Sequence, residues 1–298
     1  MDTQRGVRLL LSTAFCLVLF ASNSLVCRVA LVQYGMQAWG YTALRTLAAA
    51  AVLTVLCLSG IIGAGTGRQG REECLALWRQ GSWGAAALLF AYMLFFSLAY
   101  VDIPAATGTL VLNTAVQVVM VGWGVLHGAR LDGGQFVGFA LAAGGLVLLV
   151  AAKFETPSLT HALLMGISGA CWGGYTLCGR NAAQAMSVTT GNFLRCIPLG
   201  LTALLYALLW EQTPALPAVA CALAAGGFAS GLGYALWYHL LPRYDLMSSS
   251  IIQLSIPVVT AVLAVPVLAE PVTLRLLLCG VCILGGIALV LNAGQRRL

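Results

Sequence analysis

The chain has 298 residues, 60% of them hydrophobic and only 8% charged, with a net charge of +6 and a mean hydropathy of +0.94. Soluble domains carry roughly 25% charged residues, so a water-facing surface is excluded. Each membrane crossing takes about 20 apolar residues, so several crossings leave no room for a separate soluble domain. The positive charge does not point to nucleic acid: the basic residues, all arginine except Lys153, sit mostly in short breaks between apolar runs, as topology signals do.

The first apolar run, 7–32, has Arg5 and Arg8 at its start. It is too long for a signal-peptide core and lacks a small-x-small cleavage site, so it predicts an uncleaved first span. Further spans are predicted at 37–60, 81–101, 104–126, 133–152, 160–183, 188–210, 215–241, 246–268 and 274–293, separated by Gly, Pro or charge. Ten spans put both termini on one side. With the N-terminus inside, the inner face collects Arg5, Arg8, Arg68, Arg71, Arg79, Arg130, Arg180, Arg243, Arg296 and Arg297. The outer loops keep Lys153 and Arg275 beside Asp102, Glu155, Glu211 and Glu270. The positive-inside rule therefore predicts N-in, C-in. Cysteines such as Cys16, Cys57, Cys171 and Cys221 lie singly in apolar runs with no CxxC spacing, which reads as small hydrophobes; no metal and no cofactor is predicted.

The chain also repeats. A constant shift of 142 aligns residues 99–131 with 241–273, and it carries Gly84, Tyr92, Phe95 and Phe96 onto Gly226, Tyr234, Trp237 and Tyr238. Upstream, Arg28 and Arg45 match Arg180 and Arg195 at shifts of 152 and 150. The units are residues 1–152 and 153–298. Each holds five spans, an odd number, so the second must enter the membrane from the opposite face. An all-α membrane protein of two inverted five-helix repeats follows, and such pairs rock about a central site in alternating-access carriers. GxxxG pairs at Gly124/Gly128, Gly134/Gly138, Gly169/Gly173 and Gly227/Gly231 predict close helix packing, with dimerisation the lesser alternative.

Polar residues inside spans mark candidate function. Asn23, Trp172 and Tyr175 occupy the first and sixth spans; Tyr92, Tyr234, Trp237 and Tyr238 the third and eighth; Asn113, Gln117 and Gln253 the fourth and ninth. A cavity lined by these is aromatic with a few amides, which suits zwitterions with apolar side chains. Arg45 and Arg195 lie about two turns inside their spans, and a structural or gating role is favoured over ligand contact. Pro257, Pro266 and Pro198 are candidate kinks and hinges. No carboxylate falls mid-span, which favours facilitated diffusion over proton coupling and argues against polyamines. No HExxH, GxSxG or Walker motif is present, so an enzyme is not expected. A channel would need a continuous polar path, which the sparse polar residues do not supply.

The span order, the matched Arg45 and Arg195, and the run Ser250-Ile-Ile-Gln253-Leu-Ser-Ile-Pro257, followed by Leu268-Ala-Glu270-Pro271, resemble the EamA-type drug/metabolite transporter superfamily. The first copy departs from this pattern, with Ala115 at the place of Pro257 and Gly128 at that of Glu270. The resemblance implies a central substrate cavity and, in bacteria, export of metabolites across the inner membrane. The branch it is nearest to exports neutral and aromatic amino acids over a broad range; drugs or other small metabolites, with proton coupling, are the alternative. Pro257 and Glu270 then fall into a gating or structural role. The partners implied are a small-molecule substrate and membrane lipid, with the protein a monomer or homodimer.

Overall fold

A computed structural model describes residues 2–59, 71–128, 133–151, 159–179, 184–240, 243–244, 252–253 and 255–295. The loop residues Arg68, Arg130, Lys153, Glu155, Arg180, Arg296 and Arg297, and the stretch 245–251, lie outside these. So do the predicted boundary between units and the Tyr238 side chain.

The described residues are helical, with no strand. The elements are α1 (Asp2–Arg28), which runs into a π-helical turn (Val29–Gln33), α2 (Ala38–Leu58), α3 (Arg71–Gln80), α4 (Trp83–Ala99), α5 (Ala105–Leu126), α6 (Gly133–Ala151), α7 (Leu159–Gly179) and α8 (Ala185–Trp210). Next come α9 (Leu216–Ala224), a π-helical stretch (Ala225–Leu232) and α10 (Gly233–Leu240), then α11 (Ile256–Leu268) and α12 (Leu274–Gln295). Five segments are long and apolar enough to cross a membrane, six if α3 and α4, bent by 85°, count as one span; α6, α11 and α12 contain shorter apolar helices. This is a multi-pass membrane protein. Its apolar side chains also face outward, with Leu11, Phe15, Val147, Leu148, Leu208 and Val281 all well exposed.

Helix ends follow local chemistry. Gly35 takes φ +64° in the turn between α1 and α2, a conformation open to glycine at little cost. The Ser82 hydroxyl accepts from Ala85 N–H at 3.1 Å and caps α4. Two departures from the sequence reading stand out. Helix α3 occupies part of the expected loop after the second span. Its charged residues interrupt the apolar run, so hydropathy passes over it, yet Leu77 is buried in the core and α3 packs on α8. Pro257 lies in the first turn of α11 rather than mid-span. There a missing N–H costs nothing, so Pro257 starts a helix rather than kinking one. Pro266 is inside α11 and Pro198 inside α8.

Packing pairs the elements in a regular way. Helix α1 lies on α11 and on the α9–α10 segment, while α7 lies on α5 and α4. Helix α2 packs on α8, and α6 on α12. Close approach uses glycine. A Cβ at Gly169 would meet the Leu112 carbonyl and, at 2.7 Å, the Ala115 Cβ on α5; one at Gly173 would meet Val119 at 2.9 Å. Gly231 stands equally close to Val52 of α2, at 2.8 Å. Two of the GxxxG pairs thus serve packing within the chain. Short hydroxyl contacts add to it: Thr42 donates to Ser97 (2.9 Å), Ser168 to the Tyr92 carbonyl (2.9 Å) and Tyr100 to Ser24 (2.9 Å).

Candidate functional site

The packing of α1, α2, α4, α7, α8 and α10 gathers an aromatic cluster. Trp172 of α7 lies between Tyr92 of α4 and Tyr234 of α10, with ring centroids 4.9 and 5.8 Å away. Those two tyrosines are the positions that the 142-residue sequence shift aligns. Tyr175, one turn along α7, makes a tilted ring contact with Trp172 at 5.4 Å, and its hydroxyl donates to Thr189 at 3.3 Å. Phe193 of α8 and Phe20 of α1 flank Tyr234 at 6.3 and 6.0 Å. Tyr92, Tyr175 and Tyr234 are all buried.

The polar face of this cluster centres on the Tyr92 hydroxyl. It receives Asn23 Nδ2 at 3.5 Å and Arg45 Nη2 at 3.4 Å. The Arg45 guanidinium also sits over the rings of Tyr92 (5.6 Å) and Phe96 (5.0 Å), where the ring faces attract a cation. Four of the sequence candidates, Asn23, Tyr92, Trp172 and Tyr234, therefore converge with Arg45, and Tyr175 joins them through Trp172.

Other candidates go elsewhere. Trp237 packs with Phe20, Cys16 and Leu240 in a separate group. Asn113 donates to the Thr109 carbonyl of its own helix at 2.8 Å. Gln117 borders an apolar cavity of about 150 Å³ with Thr114, Phe139, Leu146 and Ile287, between α5, α6 and α12. Gln253 is exposed. Helical position explains the split: a residue's depth is legible in sequence, whereas the direction it faces depends on how the helices pack.

The two arginines matched in the sequence, Arg45 and Arg195, differ in setting. Arg195 is held at the corner between α3 and α4. Its Nη1 donates to the carbonyls of Trp78 and, at 3.4 Å, of Gly191, and its guanidinium lies over the rings of Trp78 (4.7 Å) and Trp83 (5.9 Å). Arg45, two turns inside α2, points into the central cluster instead.

At the opposite end of α4, carboxylates hold helix starts. Glu270 Oε2 accepts from Ala105 N–H at 2.8 Å, capping α5, and Oε1 accepts from Arg28 Nε at 3.0 Å. Arg28 Nη1 also donates to the Tyr100 carbonyl at 3.1 Å. Glu211 caps α2, accepting from Trp39 and Gly40 N–H at 3.1 and 2.8 Å. Anions at helix N-termini satisfy free N–H groups and oppose the helix dipole. In sequence Glu211 is only an outer-loop charge after an apolar run; its capping of α2, more than 170 residues earlier, is made by tertiary packing. Among the described residues, no three His, Cys, Asp or Glu side chains gather in a way that could hold a metal ion.

Residues 159–292 match the EamA-like transporter family. The chain is 42% identical over 284 residues to a Pseudomonas aeruginosa protein named "Uncharacterized protein PA1977", covering 95% of this chain and 94% of that one. A solved structure described as "Crystal structure of protein" superposes with a TM-score of 0.64 at 21% identity, over 98% of this chain and 99% of the other. That likeness shows the fold; the family match and the full-length relative show that the chain belongs to the EamA-like transporter family.

Proposed function

We propose that this protein exports neutral and aromatic amino acids across a bacterial inner membrane by alternating access, moving them down their own gradient. The observation that carries the reading is Trp172 lying between the sequence-matched Tyr92 and Tyr234. A single indole touching both halves can pass an aromatic or apolar side chain from one to the other as the halves rock. The pairing of elements supports ten crossings in two inverted units. Exchanging the halves turns the α1–α11 contact into α7–α5, turns the contact of α1 with the α9–α10 segment into α7–α4, and returns α2–α8 and α6–α12 to themselves. The family match, starting at residue 159, supports a boundary near residue 152. Of the described acidic residues, Asp102, Glu211 and Glu270 lie in turns, Asp2 opens α1, and Glu72 and Glu73 lie on the short polar α3, so none is in the middle of a long apolar helix, which supports uncoupled transport.

Uptake by purified protein in liposomes tests this, using a panel of labelled amino acids with and without a proton gradient. Movement of several neutral or aromatic amino acids at gradient-independent rates is expected. Movement of amphiphilic drugs instead would favour a drug or metabolite exporter, and stimulation by the gradient would favour proton coupling.

A further inference from the structure

We propose that Arg45 and Asn23 form the head-group site for a zwitterionic α-amino acid, Arg45 taking the carboxylate and Asn23 Oδ1 the ammonium. The proposal rests on the amino-acid reading above and narrows it: both charges of the substrate are required.

Arg45 is 1% exposed and lies within α2. Of its three guanidinium nitrogens only Nη2 has a partner, the Tyr92 hydroxyl; Nε and Nη1 are buried with none. Arg195 and Arg275 also leave Nε without a partner, but they and the half-buried Arg28 each reach a carboxylate or two carbonyls. Arg28 binds Glu270 and a carbonyl, Arg195 binds the carbonyls of Trp78 and Gly191, and Arg275 binds those of Leu148 and Leu149. Arg45 reaches only a phenol and two ring faces, which offset part of the cost of burying a charge.

No protein anion among the described side chains is available to it. Glu270 is engaged with Arg28 and Ala105, Glu211 with the start of α2, and Asp102 lies 3.4 Å from His161. A guanidinium with open donors in a low-dielectric interior is a strong site for a carboxylate.

Asn23 supplies the complement. It is 9% exposed, its Nδ2 donates to the same Tyr92 hydroxyl, and its Oδ1 is buried with no partner. A donor set and an acceptor thus flank one phenol oxygen, and the same Tyr92 ring contacts Trp172. A substrate with its carboxylate at Arg45 and its ammonium at Asn23 would direct its side chain toward Trp172 and Tyr234.

The test is equilibrium binding to the purified full-length protein in detergent of three probes: phenylalanine, 3-phenylpropionate, which lacks the ammonium, and phenethylamine, which lacks the carboxylate. Wild type is expected to bind phenylalanine at least about tenfold more tightly than either truncated probe. Arg45→Lys keeps the charge but not the planar fork. It is expected to weaken phenylalanine and phenylpropionate by about tenfold or more and to leave phenethylamine unchanged. Asn23→Ala is expected to weaken phenylalanine and phenethylamine while sparing phenylpropionate. Equal binding of all three probes by wild type, or equal losses for all three in either variant, would overturn the proposal. If Arg45→Lys fails to fold, the wild-type series and Asn23→Ala still decide it. Phenylalanine bound and transported without this group pattern removes the head-group site alone; no binding or transport of any amino acid removes the amino-acid reading and the site with it.

Discussion

Arg28 at the end of α1 and Glu270 in the turn before α12 are 242 residues apart in the chain, yet their side chains meet at 3.0 Å. Glu270 simultaneously caps α5, so one carboxylate ties together α1, α5 and the α11–α12 turn. Ala269 beside it takes φ 54°, a left-handed conformation that an alanine adopts only where its surroundings compensate.

Loss of Glu270 should therefore cost more than a surface ion pair. Glu270→Ala is expected to lower stability by about 2 kcal/mol, and Glu270→Gln, which retains an acceptor for Ala105 N–H, by about 1 kcal/mol. Thermal unfolding in detergent, in a double-mutant cycle with Arg28→Ala, measures the coupling. Additive losses would show that the pair contributes nothing beyond its separate contacts.

The sequence-matched arginines should separate in function. Arg195→Gln removes carbonyl bonds and ring contacts at the α3–α4 corner. It is expected to destabilise the fold by about 1–3 kcal/mol while leaving the affinity of the folded protein for phenylalanine unchanged. Paired measurements of melting temperature and binding check this; a binding defect at full stability would give Arg195 a place in the site.

Glycine positions should divide by what they touch. Gly169→Ala drives a methyl into the Leu112 carbonyl and Ala115 of α5, and a loss of about 1–3 kcal/mol is expected from overpacking. Gly84, with nothing within 4 Å, should accept alanine without loss. Equal folded yields of the two variants in membranes would mean that the α5–α7 interface yields easily.

Pro257→Ala should leave α11 formed, since its first turn needs no donor there. Releasing the fixed φ removes the ring's restraint on the residue before it and changes the backbone freedom at the entry to α11. Transport is expected to fall more than membrane expression. Equal losses would leave Pro257 a folding role only.

The amino-acid sequence by itself determined the class of molecule, because hydrocarbon accepts only segments that satisfy their own backbone. Apolar runs located most helices to within a few residues, and the repeat of Tyr92 at Tyr234 singled out two residues of the aromatic cluster. Helix α3 escaped because its contact with α8 is made by a few side chains among charges. Tertiary structure decided which way each helix faces. That rotation brought Asn23, Arg45, Tyr92, Trp172 and Tyr234 together and sent Gln117 and Trp237 elsewhere. It also joined Arg28 to Glu270 and gave Arg45 and Arg195 different surroundings. Facing is set by contacts between residues far apart in the chain, which a pattern read along one helix does not contain.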